Sequence, residues 1–194
     1  MVRDYHGYSQ GYNVQAAATR EQIIVAAEVT RAATDGDELH PMLEAVNRNL
    51  RSVGRRPMRV LLADANVRGV GEDGPELVIA TRSNRNRRLD GAAPRGRIPA
   101  ALSLRERMAR KLATKRGRRL YEQRRWMIEP VFGDVKEHRG IRRFMRRGFA
   151  ACASEWKLIA ATHNLRKLYR QARGSGLPRP ERRRSSRMMA PAVA

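Results

Sequence analysis

Cysteine occurs once among the 194 residues, at Cys152. A single thiol excludes an intramolecular disulfide and any zinc site built from cysteines. Flanked by alanines on a helical pattern, Cys152 reads as a small core residue. There is no run of about 18 apolar residues, the length needed to cross a bilayer. The first residues lack the basic-then-apolar order of a secretion signal, so a cytoplasmic setting without a membrane partner is expected. Acid is scarce too, but only locally. Residues 1–90 hold 13 Lys+Arg against 12 Asp+Glu, whereas residues 91–194 hold 28 against 7, so +21 of the net +22 lies in the second half. Such a half faces a polyanion. Arginine outnumbers lysine, which favours bidentate phosphate recognition, and so nucleic acid, over a lysine-rich membrane patch.

Within that half, Arg119 to Gly148, RLYEQRRWMIEPVFGDVKEHRGIRRFMRRG, sets the acid Glu129 among bases and apolar residues. On a helix, Arg125 lies four residues before Glu129 and Lys136 seven after it, on one face about two turns long. Met127, Val131 and Val135 recur at spacing four and, with Ile128 and Phe132, give an apolar stripe to anchor that face. A carboxylate fixed between cations suits phosphoryl transfer on nucleic acid, the acid holding a divalent metal and the cations the phosphodiester. An ordinary i,i+4 salt bridge on a basic amphipathic helix is the other reading of Arg125 and Glu129. Pro130 removes a backbone donor and disfavours the α region at Glu129, so a helix kinked or restarted beside the acid is expected either way.

The length suffices for one domain with a real core. Residues 1–11 show no periodicity and read as an irregular N-terminal segment. YNVQAAA and QIIVAAEVT, residues 12–18 and 22–30, are β-prone and suit an antiparallel hairpin, the second apolar enough to be covered on both faces. Asp35 to Asp37 offer a helix cap, and Leu39, Met42, Leu43, Val46 and Leu50 recur at helical spacing to about Val53, with Pro41 in the first turn. Gly54 and Pro57 end this helix. Arg59 to Ala63 then makes a compact strand ending at Asp64, which completes a βα unit on a buried sheet. An acid at the carboxyl end of a buried strand is either a functional group or a solvent-facing residue that opens a turn. ELVIAT, residues 76–81, is a further strand. Residues 82–99 form a basic loop, readable as a DNA-tracking segment or a solvated linker. Helical character returns from Ala101 to Gly117 and again over residues 149–172, where Trp156 and His163 read as packing residues. The core domain is thus residues 12–172, followed by a disordered basic tail over 173–194.

The run Tyr121, Arg125, Glu129, Lys136 within YEQRRWMIEPVFGDVK, with the following RRFMRRG and EWKLIAATHNLRKL, resembles the C-terminal part of the DDE transposases of bacterial insertion sequences. GYNVQAA followed by QIIVAAEVT resembles the second and third strands of that family's RNase H-like sheet, and VLLADANVRG the segment where its second triad acid ends a strand. The family's Gly-Tyr after that acid is replaced here by Asn66 and Val67. The resemblance spans roughly residues 8–170. It implies an α/β fold with an RNase H-like mixed sheet, flanking helices and a basic helical C-terminal half.

What the resemblance implies about function is DNA transposition, with two-metal strand cleavage and transfer on transposon ends and target DNA, and no small-molecule substrate. Asp64 and Glu129 would be the catalytic carboxylates and ligands of Mg²⁺ or Mn²⁺, their carboxylates within about 8 Å of each other. Tyr121, Arg125, Lys136, Arg142 and Arg143 would hold DNA. The family's first triad Asp lies on a strand before the one at residues 12–18, and Asp4 does not match its motif. The expectation is therefore a truncated, inactive copy, completed if at all by a missing N-terminal part or by homodimerisation. A non-catalytic basic nucleic-acid-binding protein is the alternative.

Overall fold

The computed structural model describes residues 2–4, 7–9, 11–32, 38–63, 74–79, 94–99 and 101–174, the first two of these spans by backbone alone. Strands β1 (Val2–Asp4) and β2 (Gly7–Ser9) pair antiparallel. Strands β3 (Asn13–Ala18) and β4 (Ile24–Thr30) form the expected antiparallel hairpin, with a register shift between Ala17 and Ala18. Helix α1 (Leu39–Ser52) leads to strand β5 (Val60–Ala63), which pairs parallel with β6 (Glu76–Ile79). Helices α2 (Leu104–Ala113), α3 (Lys115–Gly133) and α4 (Phe149–Gly174) complete the elements, with a π-helical turn at Asp134–His138 after α3. The α/β class stands. Among the described residues the strands form three two-stranded ladders, β1–β2, β3–β4 and β5–β6.

Helix α1 ties two of these ladders together. Leu39, Met42, Leu43, Ala45 and Val46 are its buried stripe. Leu39 and Leu43 pack with Leu77, Ile79 and Met108, while Met42, Ala45 and Val46 pack with Ala26. Its end is the one the glycine predicts: Gly54 sits at φ +68, and the amides of Gly54 and Arg55 donate to the carbonyls of Arg51 and Leu50. On the other side of β3–β4, Ile24, Ala27 and Val29 meet Val131, Val135, Trp156, Ile159 and Ala160 of α3, the π turn and α4. Strand β4 is thus covered on both faces, as its apolar run requires.

Three boundaries differ from the sequence reading. The segment 1–11 carries a three-residue ladder, too short to leave a periodic trace. The helix expected over 101–117 divides in two: α2 starts from a capping box between Ser103 and Glu106, and Thr114, in an extended conformation, caps α3. Gly117 is therefore no terminator. It is buried in the first turn of α3, where an added Cβ would stand 1.9 Å from the Lys111 carbonyl oxygen. The helix α4 runs to Gly174, two residues into the expected tail, and residues 175–194 lie outside the described residues. Most of the 82–99 loop lies outside them too.

Candidate active site

Helix α3 carries Glu129, and the helix is neither broken nor restarted at the proline beside it. It continues through Pro130 to Gly133 and passes into the π turn. Proline has no N–H for the carbonyl of Trp126 four residues back. Gln22 supplies the missing donor, its Nε2 bonding the Trp126 oxygen at 2.9 Å. Gln22 itself sits at φ 63, held there by its amide to Thr19 and by Lys167 Nζ on its Oε1 at 2.6 Å. Among the described residues it is the one non-glycine with positive φ, a conformation that persists only when its surroundings impose it.

Glu129 opens onto a groove of about 580 Å³ between the β3–β4 and β5–β6 ladders. Lys136, Phe132 and Arg124 line it from the α3 side, Asn13 to Ala18 from β3, and Val60 to Ala63 from β5. Glu129 and Lys136 therefore share one groove, as the seven-residue spacing predicts. Lys136 Nζ lies 5.7 Å from the centre of the Phe132 ring. Arg125 Nε meets Glu129 Oε1 at 3.3 Å, with the two side chains 73% and 54% exposed. So exposed a pair contributes at most about 1 kcal/mol and yields readily to a competing cation. Tyr121 is half-buried, with the Arg124 guanidinium 5.5 Å from its ring centre. Asp64 lies outside the described residues; Ala63, its neighbour in sequence, lines the same groove as Glu129.

Glu129 and Glu38 offer the groove carboxylate oxygen, the donor that hard divalent cations prefer, and among the described residues no His or Cys lines it. Among the described residues no three His, Cys, Asp or Glu side chains are clustered as a metal site.

Beyond the π turn, residues 139–148 present Arg142, Arg143, Arg146 and Arg147 on the surface. The segment is held at both ends. Arg139 donates to the Ile159 carbonyl at 2.9 Å and to Thr162 Oγ1 at 2.6 Å, and the Glu155 carboxylate accepts the amides of Met145 and Arg146 at 2.9 to 3.1 Å. Arg142 is ion-paired with Glu137, and Arg143 is exposed.

On the other side of α3 lies a cluster that the sequence reading missed. His163, expected as a plain packing residue, is 3% exposed, with Nδ1 at 3.0 Å from Asp134 Oδ2 and Nε2 at 3.0 Å from the Gln22 carbonyl. Both nitrogens face acceptors, so both contacts are satisfied together only when both carry a proton. Arg166 completes the cluster, 3.2 Å from either Asp134 oxygen. Burial raises the pKa of Asp134, but the His163 hydrogen bond and the charges of Arg166, His163 and Arg139 outweigh it and hold the carboxyl below its usual range. The usable signal was acid scarcity. Of the seven acids in residues 91–194, Glu106 caps α2, Glu129 opens the groove, Asp134 holds His163, Glu137 pairs Arg142 and Glu155 pins the basic loop.

Residues 81–169 match the transposase DDE domain family. The match covers a little under half of the chain. No curated protein and no solved structure matches. The transposase span holds Tyr121, Arg125, Glu129, Lys136, Arg142 and Arg143, all of α3 and the whole anchored basic loop; Asp64 precedes it. The similarity to that family supports a role in DNA transposition. Among the described residues no helix is long and apolar enough to cross a membrane.

Proposed function

We propose that this chain supplies the glutamate side of a transposase catalytic groove on an RNase H-like scaffold, with Glu129 and Asp64 as the carboxylates that hold Mg²⁺ or Mn²⁺. The observation that carries the reading is the position of Glu129: it stands in the transposase span, beside Lys136, in a groove whose opposite wall is the strand leading to Asp64. When bound, the metal would polarise the scissile phosphodiester and the attacking oxygen. The protein's own residues bind and orient. Arg142, Arg143 and their neighbours hold the DNA backbone on the pinned loop, and Lys136 places a phosphate at the groove. Arg125, exposed and only loosely paired with Glu129, reaches the DNA backbone.

Metal binding tests this without requiring turnover. Mn²⁺ titrated into the protein and followed by electron paramagnetic resonance should show a site weakened at least about tenfold by Glu129→Gln and by Asp64→Asn. A Mn²⁺ isotherm unchanged by Glu129→Gln would make the acid merely the salt-bridge partner of Arg125. DNA binding is measured beside it. Neutralising about six phosphates should cost roughly a thousandfold in affinity between 50 and 200 mM salt, equally for random and specific sequences. Binding indifferent to salt would remove nucleic acid from the reading.

A further inference from the structure

Helix α4 has two apolar faces, and the fold uses one. Cys152, Trp156, Ile159, Ala160 and His163 are buried against the body. On the opposite side Leu158, Leu165 and Leu168 stand 65%, 68% and 53% exposed, with Ala161 exposed between them. Positions 158, 161, 165, 168 and 172 are Leu, Ala, Leu, Leu and Ala. The steps alternate three and four, the 3.5-residue period of a helix that packs against another helix. A helix that merely rests on a sheet has no use for a second seam of this kind.

We propose that this seam is the interface between two copies of the chain, which pair their α4 helices antiparallel about a two-fold axis passing level with His163. The pairing is self-complementary. Leu158 of one copy meets Leu168 of the other, and Ala161 meets Leu165, so a small residue faces a large one on each side of the axis. Charge selects the same occupant. In a chain of net +22, three of the five cations of this helix are engaged with the body: Arg166 with Asp134, Lys167 with Gln22 and Lys157 with Glu28. In the antiparallel register Lys157 falls beside Gln171, Glu155 beside Tyr169 and Asn164 beside its own copy, so no cation meets a cation. The opposed helix dipoles add to this. An acidic partner protein would need cations along the seam to recognise it, and the seam has none between Leu158 and Leu168. About four turns of helix per copy make a contact at the low end of specific interfaces.

Sedimentation equilibrium on the full chain, freed of nucleic acid and kept at high salt, tests the association. A monomer–dimer equilibrium is expected, weakened at least about a hundredfold by Leu165→Glu, which buries a charge at each copy's contact. Because Leu165 is exposed, the thermal unfolding of the dilute variant should match that of the parent, which separates lost pairing from lost folding. Orientation is read by cross-linking on a Cys152→Ala background. Ala161→Cys with Leu165→Cys should oxidise to a covalent dimer, and Ala161→Cys alone should not. A chain that stays monomeric at about 100 μM, a dimer that Leu165→Glu leaves intact, or a cross-link through Ala161→Cys alone would each overturn the proposal.

Discussion

Substituting Gly117 by alanine tests how tightly α3 is launched from α2. The new Cβ would stand 1.9 Å from the Lys111 carbonyl oxygen, 2.6 Å from its carbon and 3.1 Å from Thr114 Oγ1. Apolar contact is comfortable at about 3.5 Å, so the carbonyl must retreat by roughly 1.6 Å. It cannot turn aside, because it is backbone, and it already accepts the Thr114 amide at 3.1 Å and the Thr114 hydroxyl at 2.7 Å. Alanine gains about 1 kcal/mol as the better helix former. Against that stand an overpacking cost of about 1–3 kcal/mol and two hydrogen bonds of about 1 kcal/mol each. The net is a loss of about 2–4 kcal/mol, or a melting temperature lower by roughly 4–16 °C for a chain of this size. Glu129 lies roughly 18 Å farther along the same helix, so a tilt at Gly117 also displaces the acid in its groove. Calorimetry and urea unfolding of Gly117→Ala, with the Mn²⁺ titration beside them, give both readouts. A variant as stable as the parent, with unchanged metal binding, would refute the tight junction and the argument that it aims α3.

Two further predictions concern the anchors around α3. Because Asp134 ionises more readily in the folded protein, its contribution is fully present above the unfolded carboxylate pKa, near 3.8, and is lost as pH falls through the lower folded value. Asp134→Asn should therefore cost about 2 kcal/mol at neutral pH, a deficit that shrinks as urea unfolding is repeated from pH 4 downward; a deficit independent of pH would place the effect elsewhere. Glu155→Ala removes the acceptor of the Met145 and Arg146 amides. Faster hydrogen exchange at those amides and a loss of DNA affinity of about fivefold, on the order of 1 kcal/mol, are expected, and unchanged affinity would mean that the loop's order does not matter to DNA.

Much of this architecture was legible because its cause is local. The periodicities of β3, β4, α1, β5 and α4 follow from which face each element buries, and the Gly54 terminator works within a single turn. That Glu129 and Lys136 share a face was legible in their seven-residue spacing. What escaped reading lies between elements or below the length at which a pattern shows. A glycine that stops a helix and a glycine that lets two helices meet look alike in KLATKRG, and Gly117 is the second kind because of a backbone carbonyl in α2. His163 looked isolated because its acid, Asp134, lies 29 residues before it on another element. Strands β1 and β2 are three residues each, below the length at which alternation shows.

The bond from Gln22 to the Trp126 carbonyl joins residues 104 positions apart, one in the β3–β4 turn and the other in the middle of the matched span. A span recognised by its sequence is therefore not a unit that assembles alone. Excised at residue 81, the glutamate helix would keep Pro130 and lose the one side chain that answers it, along with the His163 contact to the same turn. The shape of α3 at its acid is settled only when the hairpin docks. A graft or minimal fragment of this groove must carry the β3–β4 turn with it, and a change at Gln22 should be read as a change to Glu129.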